Sequence, residues 1–128
     1  FNATVNNTCS ITVNQAGLLT ANVGQTSLAS TNAGGAAGQA TIVATSANYT
    51  VGVDQPIGWQ AGFPTGGDTN VTFAATYSAS GDTTVASTDL DNPLATGTTA
   101  VNVNLAATKS SGSFPTGTYA AVVVLRCE

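Results

Sequence analysis

The chain opens on a strict alternation of apolar and polar positions. Apolar or sulfur side chains occupy the odd positions, with Asn7 as the exception, and polar side chains occupy every even position up to Asn14. Side chains of a β-strand point alternately to its two faces, so a period of two predicts one buried and one wet face. We therefore predict a strand from Phe1 to Asn14, which has to join a sheet of its own domain or of a neighbouring molecule.

The same alternation recurs along the rest of the chain. It predicts about seven or eight strands in all, and the segments between them are rich in the turn-forming residues Gly, Pro, Asn, Asp and Ser. No segment carries an apolar stripe with the 3.6-residue period of a helix. The pattern predicts one all-β domain over residues 1–128, an antiparallel β-sandwich whose later strands cover 19–23, 40–44, 49–54, 70–77, 83–87, 101–107 and 118–127.

The final predicted strand departs from the two-faced rule. Its odd positions from Tyr119 to Cys127 form one apolar face, but Val122 and Val124 place branched apolar groups on the other face. A strand with one wet face does not need these side chains. Either loops or a second subunit cover them, or they are valines scattered on the surface. Val122 and Val124 are our candidate subunit-interface residues in this strand.

Composition excludes several classes of function. Charged residues make up 6% of the chain, with two cations, six acids, no histidine and a net charge of −4. Two cations cannot build the basic patch that nucleic acids or anionic membranes require, so we expect neither as a partner. Without histidine there is no common general base for a catalytic triad. We expect no enzymatic activity, no catalytic residues and no cofactor.

Oxygen atoms that could bind a metal ion lie close together at one place in the sequence. Asp89, Asp91 and Asn92 are hard donors of the kind Ca²⁺ prefers. The segment lacks the glycine and the distal glutamate of an EF-hand loop, so an ordinary Asx turn is the better explanation. We assign no metal site.

The two cysteines lie at opposite ends of the chain, at Cys9 and Cys127. With no metal-ligand partners nearby, they are best explained as one disulfide, with two free thiols or intermolecular bridges as the alternatives. Disulfides persist in oxidising compartments. We therefore expect an exported protein, with Phe1 as the residue left after a signal peptide is cleaved.

One loop carries two aromatic residues, Trp59 and Phe63. Aromatic side chains on a loop can stack on sugar rings, which makes these two residues candidate carbohydrate-binding residues. The alternative is that Trp59 folds back as a lid on the core, because it is the only tryptophan in a chain of small core residues.

Four segments resemble the bacterial pilin-like family with an immunoglobulin-type sandwich, the chaperone–usher pilins and the spore coat U-type secreted domains. They are the opening strand that leads into Cys9, the Gly-rich stretch 32–38 before a strand, the segment 72–77, and the ending 114–124 with its Gly-x-Tyr. The resemblance implies an immunoglobulin-like sandwich that lacks its last strand. It also implies a structural subunit of a surface filament with a role in adhesion or biofilm, assembled with a periplasmic chaperone and an usher.

In that family the gap is filled by an N-terminal segment from the next subunit. The resemblance assigns Phe1, Ala3 and Val5 as the side chains that plug the neighbour's gap. Two departures are present: many relatives have their second cysteine near 40–45, and only eight residues precede Cys9 here. The alternatives are therefore a homo-oligomeric filament and a self-contained extracellular domain that uses the Trp59 loop for a carbohydrate or another surface ligand.

Overall fold

The computed structural model describes residues 1–128 and contains no helix, as the alternation predicts, but it has ten β-strands instead of seven or eight. No part of the chain forms a helix with the length and apolar character needed to cross a membrane. All strand pairs are antiparallel. The strands are β1 Cys9–Gln15, β2 Thr20–Ala21, β3 Ser27–Ala29, β4 Gly38–Ala44, β5 Thr50–Asp54, β6 Val71–Gly81, β7 Val85–Thr88, β8 Asn92–Pro93, β9 Gly97–Lys109 and β10 Val124–Cys127.

The larger sheet has seven strands and is organised around β9. One edge of β9 pairs with β6 over the whole length of β6. Its other edge pairs first with β4, over residues 97–103, and then with β3, over residues 106–108. The strand β1 pairs with the far side of β4 and forms one border of the sheet. The length of β9, 13 residues, allows one strand to carry two neighbours on the same edge.

The smaller sheet has three strands in the order β10-β5-β8. Its residues Val51 and Val53 pack with Ile42, Tyr77 and other core residues of the larger sheet, so the main core lies between the two sheets. A second apolar cluster lies towards one pole, where Leu28, Trp59, Ala107 and Phe114 pack together. The two sheets thus share one interior, with an aromatic cluster at the end where β9 finishes.

Cys9 and Cys127 form a disulfide within the chain, and no cysteine is free. The bond joins the first residue of β1 to the last residue of β10, so it links the borders of the two sheets.

Several strand boundaries differ from those that alternation predicts. Residues 1–8 lie outside any strand, although their pattern continues that of β1, because only Thr8 bonds to a neighbour, Thr45, and residues 1–7 have no partner. The last strand begins at Val124 instead of 118 because the residues before it have no partner strand. Conversely, β3 lies between the predicted strands 19–23 and 40–44, where alternation predicts no strand, and β6 continues to Gly81. Alternation reports which face is buried, but a strand also needs a partner edge.

Candidate functional site

An open apolar groove lies between the borders of the two sheets. Its volume is about 540 Å³, and 14 of its 19 lining residues are hydrophobic. One wall is β1 and its continuation to Leu19, the other is the chain from Tyr119 to Leu125, and the floor includes Ala40, Val103 and Leu105. None of the lining residues is charged. The groove is therefore suited to an uncharged, apolar segment.

The wall formed by β1 presents unpaired backbone groups to the groove. The Thr45 N–H, just beyond β4, donates to the Thr8 carbonyl at 3.0 Å. Ser10 and Thr12 lie opposite Val43 and Thr41 in the same register, so we infer that the even-numbered residues direct their backbone groups to β4. Successive residues of a strand direct their N–H and C=O groups to opposite edges. The groups of the odd-numbered residues of β1 therefore point away from β4 and into the groove; these residues are Cys9, Ile11 and Val13.

The opposite wall has the same property. The N–H of Glu128 donates to Thr50 at 3.0 Å, and the Thr50 N–H donates back, so the even positions of β10 face β5. The odd positions, Val123 and Leu125, consequently direct their backbone groups to the groove. The part of this wall that precedes β10 has one hydrogen bond to another backbone group: the Gln60 N–H donates to the Ala120 carbonyl at 2.7 Å. Two strand edges thus face each other across the groove.

The disulfide closes one end of the groove. The Cα atoms of Cys9 and Cys127 are 6.3 Å apart. A strand inserted between two others needs them about 9.6 Å apart, twice the usual spacing of about 4.8 Å. No strand fits between the two walls at the disulfide. The groove that a strand could enter therefore runs from Ile11 towards the aromatic cluster around Trp59. We call the end with the bridge the disulfide pole.

The aromatic cluster closes the other end of the groove. Tyr119, which lines the groove, lies 5.0 Å from the ring of Trp59 and 5.5 Å from that of Phe114, measured between centroids. Trp59 also meets Phe73 edge-on at 4.9 Å, and its Nε1–H donates to the Gly67 carbonyl at 3.1 Å. Burial raises the pKa of the Tyr119 hydroxyl, which donates to the Pro115 carbonyl at 2.7 Å. These contacts fix the upper part of the C-terminal wall.

Trp59 occupies the lid position that was one of its two predicted roles. Only 9% of its surface is exposed, and its ring is surrounded by other aromatic residues. Phe63 is half-buried against the same cluster. With so little of its surface exposed, the ring of Trp59 does not offer a sugar-stacking platform, and a ligand-binding role of Phe63 stays a prediction.

The candidate interface residues of the N-terminal segment are exposed. Phe1 and Val5 have exposed fractions of 132% and 91%, and Ala3 is also exposed. Residues 1–7 take part in no hydrogen bond with the rest of the chain. The segment leaves the molecule at the disulfide pole, where Cys9 begins β1.

The two candidate residues near the C-terminus lie in different places. Val122 is 53% exposed and lines the groove, whereas Val124 is 48% exposed and pairs with Asp54 in the smaller sheet. Sequence reasoning did not single out the other groove residues, such as Val13, Leu18 and Val123. The exposure of Val13 and Leu18, at 73% and 54%, is a sign of an unfilled site, but it is visible only in the tertiary structure.

The charges of the chain are kept away from the groove. Arg126 on β10 bonds to Asp54 at 2.8 Å, to Asp91 at 3.1 Å and to Glu128 at 3.2 Å. The hydrogen bond with Glu128 is the largest of the effects that raise the pKa of Arg126. No group of three or more acidic, histidine or cysteine side chains is arranged to hold a metal ion.

No family model matches the chain, and no curated protein or solved structure matches it either.

Proposed function

We propose that this protein is a secreted structural subunit of an extracellular filament of the pilus or fimbria kind, with a role in adhesion or biofilm. In this proposal the two sheets form a pilin-like immunoglobulin-type sandwich that lacks one strand. Residues 1–7 of one subunit, which precede the Thr8–Thr45 pair, fill the groove of the next. The observation that carries the proposal is the pair of unpaired strand edges facing each other across an uncharged apolar groove.

The dimensions of donor and groove support this assignment. Seven residues in a strand extend about 23 Å, at about 3.3 Å per residue. The β1 wall of the groove covers nine residues from Ile11 to Leu19, of which those up to Gln15 belong to the strand. The donor side chains are uncharged, like those of the groove, and the apolar positions alternate as a strand facing a core requires.

The position of the donor allows a filament to form. The segment leaves from the disulfide pole, and the groove runs from that pole along the side of the molecule. Donor and acceptor are different surfaces, so the contact is heterologous and can repeat from subunit to subunit. Backbone ladder bonds on both sides of the inserted strand supply affinity, while Phe1, Ala3 and Val5 fill the groove.

An extracellular location agrees with the disulfide, because such bonds persist in oxidising environments. A periplasmic chaperone that covers the groove before assembly is part of this proposal, since an open strand edge is otherwise a site of aggregation.

The test uses two matched substitutions in the full chain. Val5→Asp places a charge on a donor side chain that assembly would bury, whereas Val23→Asp places the same charge on a valine of the turn between β2 and β3 that is 107% exposed. Val5 contacts no other part of the subunit, so both variants should keep the wild-type melting temperature. We expect negative-stain microscopy and sedimentation to show filaments for wild type and Val23→Asp, and monomers for Val5→Asp.

A synthetic peptide of residues 1–8 should bind the Val5→Asp monomer, because the groove of that variant is intact. Filaments of Val5→Asp equal to those of wild type, or failure of this peptide to bind, would contradict strand donation.

A further inference from the structure

A second strand edge lies on the side of the molecule away from the groove, on β6. Tyr77 and Ala79 of β6 pair with β7 on the edge opposite β9. Because backbone groups alternate between the two edges, the odd residues nearer the start of β6 direct theirs to that same outer edge. These residues, Val71, Phe73 and Ala75, lie beyond the end of β7 and have no neighbouring strand.

The side chain of Gln55 takes the place of a strand at one of these positions. Its Nε2–H donates to the Ala75 carbonyl at 2.8 Å, and the Ala75 N–H donates to its Oε1. A residue of a neighbouring strand makes the same two bonds with its partner in an antiparallel ladder. Gln55 directly follows β5, so it also ties the smaller sheet to the edge of the larger one. The side-chain amide of Gln55 therefore occupies the next pairing position on this edge of β6, directly beyond the end of β7.

Charged side chains, proline and a short strand length are absent from this edge. Proteins commonly guard exposed edges with charged side chains, with proline or with very short strands. β6 carries no charged residue and no proline, and it is 11 residues long. With Gln55 in place, the open part is reduced to the region of Val71 and Phe73. Without it, five residues from 71 to 75 become available, about the length of an ordinary strand.

We propose that Gln55 is an edge guard, which prevents β6 from accepting the N-terminal segment of a second copy of this chain and so confines strand addition to the groove. This inference rests on the proposed function, because the segment that would add to β6 is the donor of residues 1–7. Its alternating pattern and uncharged side chains suit an edge whose core-facing residues are Val71 and Phe73, both half-buried. A subunit with two acceptor edges would produce branched or disordered assemblies.

The experiment counts the peptides bound per chain. Full-length Val5→Asp, which cannot donate its own strand, is mixed with the synthetic peptide of residues 1–8. Native mass spectrometry should find about one peptide per chain for Val5→Asp and about two when Gln55→Ala is added. Hydrogen exchange should show slower exchange of the Phe73 and Ala75 amides only in the variant that takes two. The matched control is Gln60→Ala, since Gln60 is exposed and its side chain forms no hydrogen bond.

The proposal would be overturned if Gln55→Ala did not raise the number of bound peptides over that of Val5→Asp alone, or if the added peptide left Phe73 unprotected. Gln55 is exposed, so water can replace its two bonds and the variant should fold. Gln55→Asn, with a shorter amide, provides the same measurement should Gln55→Ala not fold. Binding at β6 alone, with none in the groove, would support the edge guard and contradict the proposed function, so the two can fail separately.

Discussion

The bond between Cys9 and Cys127 offers the largest single perturbation of stability that the structure defines. It closes a loop across a sequence separation of 118 residues, which restricts nearly the whole unfolded chain. In the chain-entropy relation a loop of this length contributes about 5 kcal/mol. We expect replacement of both cysteines by alanine to lower the free energy of unfolding by about this amount, and the melting temperature by on the order of 15 °C.

The structure also predicts which residues should become less protected when the disulfide is removed. The strand β10 has four residues and pairs only with β5, and the wall above it has a single backbone contact. Without the disulfide nothing covalent holds β10 beside β1. Hydrogen exchange of residues 124–127 should therefore accelerate more than exchange in β9, which is paired on both edges.

Urea unfolding followed by the fluorescence of Trp59 measures the effect, because Trp59 is the only tryptophan and is buried in the folded chain. The oxidised wild type, the reduced wild type and the double alanine variant are compared. Without the disulfide, the free energy of unfolding should fall more steeply with urea concentration, since the unfolded chain exposes more surface. The double variant treated with reductant is the control and should not change. A loss of less than about 1 kcal/mol would refute the entropic reasoning.

Two further predictions concern buried polar groups. The Tyr77 hydroxyl lies 3.0 Å from the Val51 carbonyl and 2.9 Å from that of Leu90. Burial is the main cause that raises its pKa. The folded chain therefore binds the proton more tightly, so stability should be constant up to about pH 10 and fall above it. Tyr77→Phe should reduce this loss of stability above pH 10 and lower the free energy of unfolding by about 1–3 kcal/mol at pH 7. Thermal melts from pH 7 to 11 measure both effects. A loss of stability above pH 10 equal to that of wild type would contradict the role of Tyr77. The Lys109 ammonium is buried and donates to the carbonyls of Gly66 and Thr69 at 2.8 and 2.7 Å, so Lys109→Met should destabilise the chain by about 2–3 kcal/mol. Arg126→Met, at the other cation, should destabilise it less, because its ion pairs are exposed; equal losses in urea titrations of the two variants would contradict this ranking.

The sequence by itself determined the all-β class, and it limited any disulfide within the chain to Cys9 and Cys127, while the structure decided that this bond is present. Long strands such as β4, β6 and β9 are predicted because they have one buried face, and burial leaves a period of two that is independent of which strands are neighbours. With two cysteines the pairing within one chain needs no geometry. Short strands such as β3 and β8 escape prediction, since two or three residues do not define a period.

Only the tertiary structure decided which strand edges have partners. The alternation of residues 1–8 equals that of β1, yet one segment is exposed and the other is paired, because pairing depends on a neighbouring edge and not on the pattern. Trp59 was compatible with a lid or a platform until its surroundings were known. Gln55 gave no signal at all: its role comes from the amide meeting the backbone of Ala75, 20 residues away. Contacts between residues distant in sequence arise from the packing of the sheets, so they cannot be predicted from the local pattern of apolar and polar residues.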